Sequence, residues 1–433
     1  MVSVYSNVRC WVLLFIHTAD IHVGAFPHSV LREACIEAFK RISEIVLSEN
    51  VKTVVIAGDL FESSRPSYEL VVKVVRILKE LKSNGVRVIA TPGSHDVTFK
   101  GYGTLTLLSE VGLVTIPPFE EKDLTLILKP VEVDGVKFYG LPGFKGGKEI
   151  EYLERKRIVY RDFSENDINV LVAHTSLEIP GYNITDISKK YSAIKLSKDA
   201  YRALLNFRYV ALGHIHFPVP IELEFKSTLA YPGAPIGRDA NDIIETFKLR
   251  NTFNSDRRVL LVDVSTSPPK VKALLDDFGL DVDILTVDSI SNIIRDVMLK
   301  LNDMHGKYKC LIVYTGRVSF DQFEKLRKHL NELARKHNVW IHVVHSTVEE
   351  DDTLSLLEGF KVDLSNIEAL EREAIRSIVR KLGISVDEEK LLKLINILGR
   401  EYPEGSKKYE FDEEVVEEAV KVLNEILFKG GGE

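Results

Sequence analysis

The sequence predicts an α/β protein in three parts: a layered main domain over residues 1–278, a small α/β cap over 279–350 and a helical tail over 351–433. Three observations predict it. Short β-rich apolar runs alternate with amphipathic helical stretches through the first part, a tighter strand–helix alternation follows a Pro-containing break at 266–269, and no strand-like run occurs beyond about residue 351. A chain of 433 residues is also long enough for about three cores, at roughly 150 residues per domain.

The runs at 12–16, 53–56, 86–90, 136–139, 170–173 and 209–212 are short and dominated by Val, Ile, Leu, Phe and Tyr, the pattern of strands buried on both faces. Residues 31–48 and 68–82 fall between the first three runs and repeat apolar residues at helical spacing. Each is long enough to be the crossover connection that parallel strands require. Beyond the break, 282–287, 310–314 and 339–344 read as strands and 290–304 and 319–337 as helices. Together they form a βαβαβ unit whose second helix opens with the Ser319/Gln322 capping box. The tail offers amphipathic helices over 366–382, 387–398 and 412–428, joined by turns containing Gly or Pro.

Composition excludes several classes. Apolar content is 45% and charged content 28%, too ordinary for a disordered or fibrous chain. Cys10, Cys35 and Cys310 lie far apart without a CxxC, which argues against a disulfide framework or a Cys-based zinc site. No apolar run approaches the ~18 residues of a membrane span. Residues 10–16 run straight into His17 and Asp20 with no small-residue cleavage site, so they read as a strand rather than a targeting segment. The expectation is an intracellular, cytoplasmic protein not associated with membrane. Net charge is −7, but residues 351–433 alone hold 20 acids against 12 bases, which leaves +1 for the rest. Global acidity therefore does not argue against an anionic ligand for the body of the chain.

Five polar motifs follow the predicted strands: Asp20-Ile21-His22, Gly58-Asp59, Gly93-Ser94-His95-Asp96, His174, and Gly213-His214-Ile215-His216. Ligands of open α/β sheets collect at the carboxyl ends of strands. Asp20, His22, Asp59, His174, His214 and His216 form the mixed oxygen and nitrogen set suited to Mn²⁺, Fe or Zn, and a carboxylate such as Asp59 can bridge two ions. Any one of these motifs alone is weak, because a single His is usually a satisfied core residue. All five, in order, at strand ends, and holding five of the chain's twelve His, favour a metal site.

This order of motifs resembles the calcineurin-like metallophosphoesterase superfamily. The wording of His17–Gly24, of Gly58-Asp59-Leu60-Phe61, of Ser64-Arg65-Pro66-Ser67, of 211–216 and of Tyr231-Pro232-Gly233 is similar to its double-strand-break repair nucleases, the archaeal and eukaryotic counterparts of bacterial SbcD. The resemblance implies a β-sandwich flanked by helices, with Asp20, His22, Asp59 and His216 on one metal and Asp59, His174 and His214 on the other. The metals would be two Mn²⁺, with Mg²⁺ or another divalent ion as a substitute. His95 would serve the leaving oxygen as general acid or stabiliser, oriented by Asp96. Two departures stand out. Ser94 occupies the place of a ligating Asn, so the second ion would be held weakly or through water, and Glu62 stands where some relatives carry His.

The helix over 319–337 carries Lys325, Arg327, Lys328, Arg335 and Lys336 away from its apolar stripe. A solvated face explains them as well as DNA-backbone contact does; the family's cap tips the reading toward DNA. The stripes of the tail helices would pack on each other or, as the resemblance implies, dock on an SMC-like coiled-coil ATPase. The expected function is a Mn²⁺-dependent 3′→5′ exonuclease and endonuclease acting at DNA ends, as a homodimer with that ATPase. The alternatives are a DNA-end scaffold weakened through Ser94, and a small-ester phosphatase or phosphodiesterase of the same superfamily.

Overall fold

The computed structural model describes residues 13–96, 103–144, 146–182, 190–191, 193–287, 292–315, 320–345, 388–398 and 408–427. The chain opens with β1 (Leu14–Thr18), α1 (Ser29–Ser48), β2 (Thr53–Ala57), α2 (Tyr68–Ser83), β3 (Arg87–Thr91) and α3 (Thr104–Glu110). It continues with β4 (Phe119–Lys122), β5 (Thr125–Leu128), β6 (Val131–Val133), β7 (Val136–Leu141), α4 (Lys148–Glu154), β8 (Ile158–Tyr160) and β9 (Ile168–His174). Next come α5 (Lys198–Leu204), β10 (Tyr209–Gly213), β11 (Glu224–Lys226), β12 (Leu229–Ala230), α6 (Ala240–Thr252), β13 (Arg258–Asp263) and β14 (Lys270–Leu275). A second alternation follows, of β15 (Leu280–Val287), α7 (Ile293–Asp303), β16 (Tyr308–Thr315), α8 (Phe320–His337) and β17 (Val339–His345).

Two main sheets form the body. One has the order β11-β14-β13-β1-β2-β3 and the other β12-β10-β9-β7-β6. Strict alternation decides how they stack. Phe15, Val55, Ala57 and Ile89 from the first sheet meet Phe138, Val170, Val172, Tyr209 and Ala211 from the second in one buried layer. The intervening residues Ile16, Val54 and Ile56 face outward under α1 and α2, while Leu171, Ala173 and Leu212 face the opposite flank. The result is a β-sandwich with helices on its outer faces. Strands β1, β2 and β3 run parallel, as do β7, β9 and β10, so each sheet delivers several strand ends to one edge.

Strands β13 and β14 add to the expected set, although 259–262 of β13 is itself a continuous apolar run. The Pro-containing stretch at 266–269 lies in the hairpin joining them, and β13 pairs antiparallel with β1. Lys270 and Lys272 on β14 are exposed while Val271 is buried, an alternation that a search for continuous apolar runs passes over.

The parallel β15-β16-β17 sheet buries one face under α7 and α8, through Val287, Val297, Leu301, Leu311, Val313, Leu326 and Leu330. Val282, Ile284, Cys310 and Ile312 on its other face join the core that contains α1, and Lys307 pairs with Glu37 of α1 at 2.7 Å. Residues 1–346 thus cluster as one compact unit and residues 347–433 as a second. In the second unit, α9 (Glu388–Leu398) and α10 (Lys408–Leu427) pack Leu394 and Ile397 against Ala419 and Val422, leaving Val416, Val420 and Leu423 exposed. The helix expected over 366–382 and the Ser319 end of the capping box lie outside the described residues. No helix among the described residues is long and apolar enough to cross a membrane.

Candidate metal centre

All five motifs emerge at one edge of the sandwich. Asp20 and His22 follow β1, Asp59 follows β2, Ser94 and His95 follow β3, His174 ends β9, and His214 and His216 follow β10. The loops are locked to one another. Asp20 N–H donates to the Gly58 carbonyl at 3.1 Å, His22 N–H to that of Asp59 at 3.0 Å, and Val23 N–H to that of Leu60 at 2.9 Å. His95 N–H donates to Asp59 Oδ1 at 2.9 Å, and His214 N–H to Asp20 Oδ2 at 2.9 Å.

Asp20, His22, Asp59 and His214 all have positive φ, of 53°, 48°, 51° and 96°. Such conformations cost on the order of 1–3 kcal/mol each and persist where the surroundings over-determine them, typically at functional sites. Two glycines make the crowding possible. A Cβ on Gly58 would lie 2.2 Å from His174 Nδ1, and one on Gly93 would lie 2.1 Å from Asp59 Oδ1.

The side chains form two adjoining Asp20-containing clusters, Asp20/His22/His216 and Asp20/Asp59/His174, and a third group, His22/Glu62/His95, each with its ligand atoms within 4.8 Å of one another. His22 Nε2 and His216 Nε2 are 3.2 Å apart, and His214 Nδ1 and His174 Nε2 are 3.3 Å apart. Ligands ~2.0–2.2 Å from a shared ion stand roughly 3 Å from each other, so these spacings fit divalent cations. Asp59 Oδ2 lies between the clusters, 3.2 Å from His174 Nε2 and 3.8 Å from His22 Nε2.

The far ring nitrogens support the same fit. His174 Nδ1 faces the Ala57 carbonyl at 3.0 Å and His216 Nδ1 faces Asp242 Oδ2 at 2.7 Å, which holds each Nε2 bare toward the cluster. The electrostatics ask for positive charge between the carboxylates. Burial disfavours charge on the His174 ring, yet the Asp59 carboxylate overrides it and lifts that ring to about 10. Burial, together with that charged neighbour, pushes His214 down to about 3. Ser94 lines the same open cleft of about 640 Å³ as His95, His174 and His214.

Residues 13–218 match the family described as calcineurin-like phosphoesterase. This chain is similar to proteins named DNA double-strand break repair protein Mre11. The one from Methanopyrus kandleri is 33% identical over 51% of this chain and 48% of its own, so the match spans about half of that relative. Those from Saccharolobus solfataricus (25% identical over 87% of this chain and 92% of its own) and Aeropyrum pernix (26% over 65% and 66%) align over longer stretches. Among solved structures, a dimetal phosphatase from Danio rerio overlaps 58% of this chain and 92% of its own at a TM-score of 0.31 and 11% identity, too remote a likeness to bear weight.

Within the matched region one expectation is corrected. Asp96 does not orient His95. Its carboxylate accepts from the backbone N–H groups of Leu60 (3.3 Å), Phe61 (3.2 Å) and Gly93 (3.1 Å), closing the turn after Asp59 from within. Those amides have no strand partner, and a buried carboxylate satisfies all three. Burial, reinforced by Asp59, pushes the Asp96 carboxyl up to about 7.

The group beside His95 is Glu62. Its carbonyl lies 2.8 Å from His95 Nδ1, and its carboxylate lies 2.8 Å from His22 Nδ1, an ion-pair distance without hydrogen-bond alignment. Arg238 Nε is 3.3 Å from the other carboxylate oxygen. Burial works against the Glu62 charge, and His22, His95 and Arg238 together hold its carboxyl below the usual range.

Asp242 and Arg257, which support His216, carry no signal in a single sequence. Asp242 sits in α6, 26 residues beyond His216, and no spacing connects the two. On α8, Lys325, Arg327, Lys328, Arg335 and Lys336 are all exposed on the side away from buried Leu326 and Leu330, and Arg327 pairs with Glu324 at 2.9 Å.

Proposed function

We propose that the chain is a two-metal DNA phosphodiesterase that processes DNA ends in double-strand-break repair. The observation that carries this reading is the position of Asp59 Oδ2 between His174 and His22, with His174 and His214 lining an open cleft beside them. The names of the similar proteins supply the DNA substrate and the repair setting. Asp20, His22, Asp59 and His216 would hold one Mn²⁺ and Asp59, His174, His214 and Ser94 the other. Divalent cations at those positions supply Lewis acidity and neutralise charge at a phosphoryl group. The chain's own residues fix the rest. The Asp59 carboxylate sets the spacing, the left-handed turns aim the ligands, and His95 stands at the cleft with Nδ1 tied to Glu62. Its Nε2 is then the atom available to pass a proton to the leaving oxygen. The exposed bases of α8 would contact DNA phosphates.

Labelled linear DNA offered alongside a small aryl phosphodiester tests the substrate. DNA turnover should dominate. Rapid hydrolysis of the small ester with intact DNA would instead favour a small-ester phosphodiesterase.

Ser94 yields a second expectation. A hydroxyl is a shorter and poorer ligand than an amide oxygen, so Ser94→Asn should lower the Mn²⁺ concentration for half-maximal cleavage by about 10-fold, equal to ~1.4 kcal/mol of binding. An unchanged titration in a brisk parent enzyme would make Ser94, or a water it holds, an adequate ligand.

Assembly is part of the proposal. Leu107 and Val111 at the end of α3, 56% and 57% exposed, line one shallow groove with Val71 and Val75 of α2, an apolar patch suited to a homodimer. Leu107→Asp should halve the solution mass measured by light scattering, and an unchanged mass would place the contact elsewhere. The exposed i, i+4, i+7 row Val416, Val420 and Leu423 of α10 is the surface offered to an SMC-like ATPase partner.

A further inference from the structure

We infer that Asp242 is the positioning residue for His216, holding that ring in the one tautomer and orientation that lets Nε2 bind a cation. The inference rests on the metal-centre reading above. The His216 Nδ1–H donates to Asp242 Oδ2 at 2.7 Å, while Nε2 stands 3.2 Å from His22 Nε2 and 3.9 Å from Asp20 Oδ1. A ring whose Nδ1 carries the proton has its lone pair on Nε2, pointed into the cluster.

Asp242 is itself fixed from several sides. Oδ2 also accepts the Arg238 N–H at 2.8 Å, and Oδ1 accepts from Lys190 Nζ at 2.7 Å and Tyr191 OH at 3.2 Å. The start of α6 is anchored by the Asp239 side chain, which caps the N–H groups of Asn241 and Asp242. Gly237, at φ +99°, lets the preceding loop pass close to this turn, since a Cβ there would lie 2.3 Å from that of Asp242. Arg257, just before β13, donates to the His216 carbonyl at 2.6 Å and to the Thr246 hydroxyl at 2.9 Å, so it ties the His216 backbone to the helix that carries Asp242.

Asp242, Arg257 and His216 are 1%, 2% and 7% exposed. Taking a carboxylate out of water to this depth is costly, and apolar packing would hold α6 in place at less expense. The expense is explained if the carboxylate acts through His216. The contrast with His174 points the same way, because that ring leans on a neutral carbonyl at Ala57. A carboxylate partner raises the basicity of a ligating ring, and loss of such a partner typically weakens metal binding by about 10–100-fold.

The test is calorimetric titration of Mn²⁺ into the metal-stripped full chain. Asp242→Ala should weaken one binding event about 10-fold or more. His216→Ala and the double variant should then bind alike, because two residues that act through one contact are not additive. Glu245→Gln, which removes the other carboxylate on Lys190 (2.8 Å away), should bind as the parent does. Thermal unfolding of the stripped proteins checks the fold. If Asp242→Ala unfolds, the near-isosteric Asp242→Leu, which cannot accept the His216 Nδ1–H, takes its place with the same expected loss. Parent-like affinity in the Asp242 variant, or a double variant weaker than His216→Ala by the full Asp242 effect, overturns the inference while leaving the metal centre standing. A parent chain that takes up no Mn²⁺ overturns both.

Discussion

Asp59→Ala should reduce Mn²⁺-dependent DNA cleavage by about 10³-fold or more, the scale of losing a principal electrostatic stabiliser. The expectation follows from what one carboxylate does. Oδ2 faces His174 and His22, one from each cluster, while Oδ1 accepts the His95 N–H, so the residue joins the four strand ends of β1, β2, β3 and β9. Its removal takes the shared negative charge from between the clusters and leaves the His95 amide without its acceptor. The amide costs on the order of 1–3 kcal/mol and leaves the sandwich core untouched. The variant should therefore remain folded, with parent-like far-UV circular dichroism. Substantial cleavage by this variant on a labelled duplex end would contradict a mechanism that needs Asp59 between two ions.

His95→Ala should separate chemistry from metal binding. The His95 ring packs edge-on against that of His22, with centroids 5.2 Å apart, and its Nδ1 is committed to the Glu62 carbonyl. It stands with His22 and Glu62 in a third group of possible ligands, outside the two Asp20-containing clusters. If its function is proton transfer to the leaving oxygen, the variant should retain both ions and cut about 10²-fold more slowly or worse. Metal content of the purified variant decides the matter. Loss of metal together with activity would make His95 a ligand or a support for His22.

The fold class was legible because the sandwich is built from short strands buried on both faces, so β1, β2, β3, β7, β9 and β10 read as apolar runs. Strand β14 was not, because exposed Lys270 and Lys272 alternate with buried Val271. By contrast, 259–262 of its partner β13 is an apolar run that follows Arg258, buried by donating to the Glu222 carbonyl at 3.0 Å. The site followed the same division. Residues delivered directly by strand ends, from Asp20 to His216, stand in short motifs beside the strands that place them. Supporting residues do not. Asp242 approaches through α6, and Glu62 was visible only as a departure from the family's pattern, although it touches His22, His95 and Arg238. The reading of Asp96 failed for a related reason. Adjacency to His95 suggested a partner, whereas the buried carboxylate turns to three backbone amides with no other acceptor.

The central claim is a pair of cations sharing Asp59. Mn²⁺ uptake counted by electron paramagnetic resonance on the metal-stripped full chain tests it most directly. The account predicts two equivalents per chain, with a magnetically coupled signal that disappears in Asp59→Ala. One uncoupled equivalent, or a coupled pair that persists without Asp59, would contradict it.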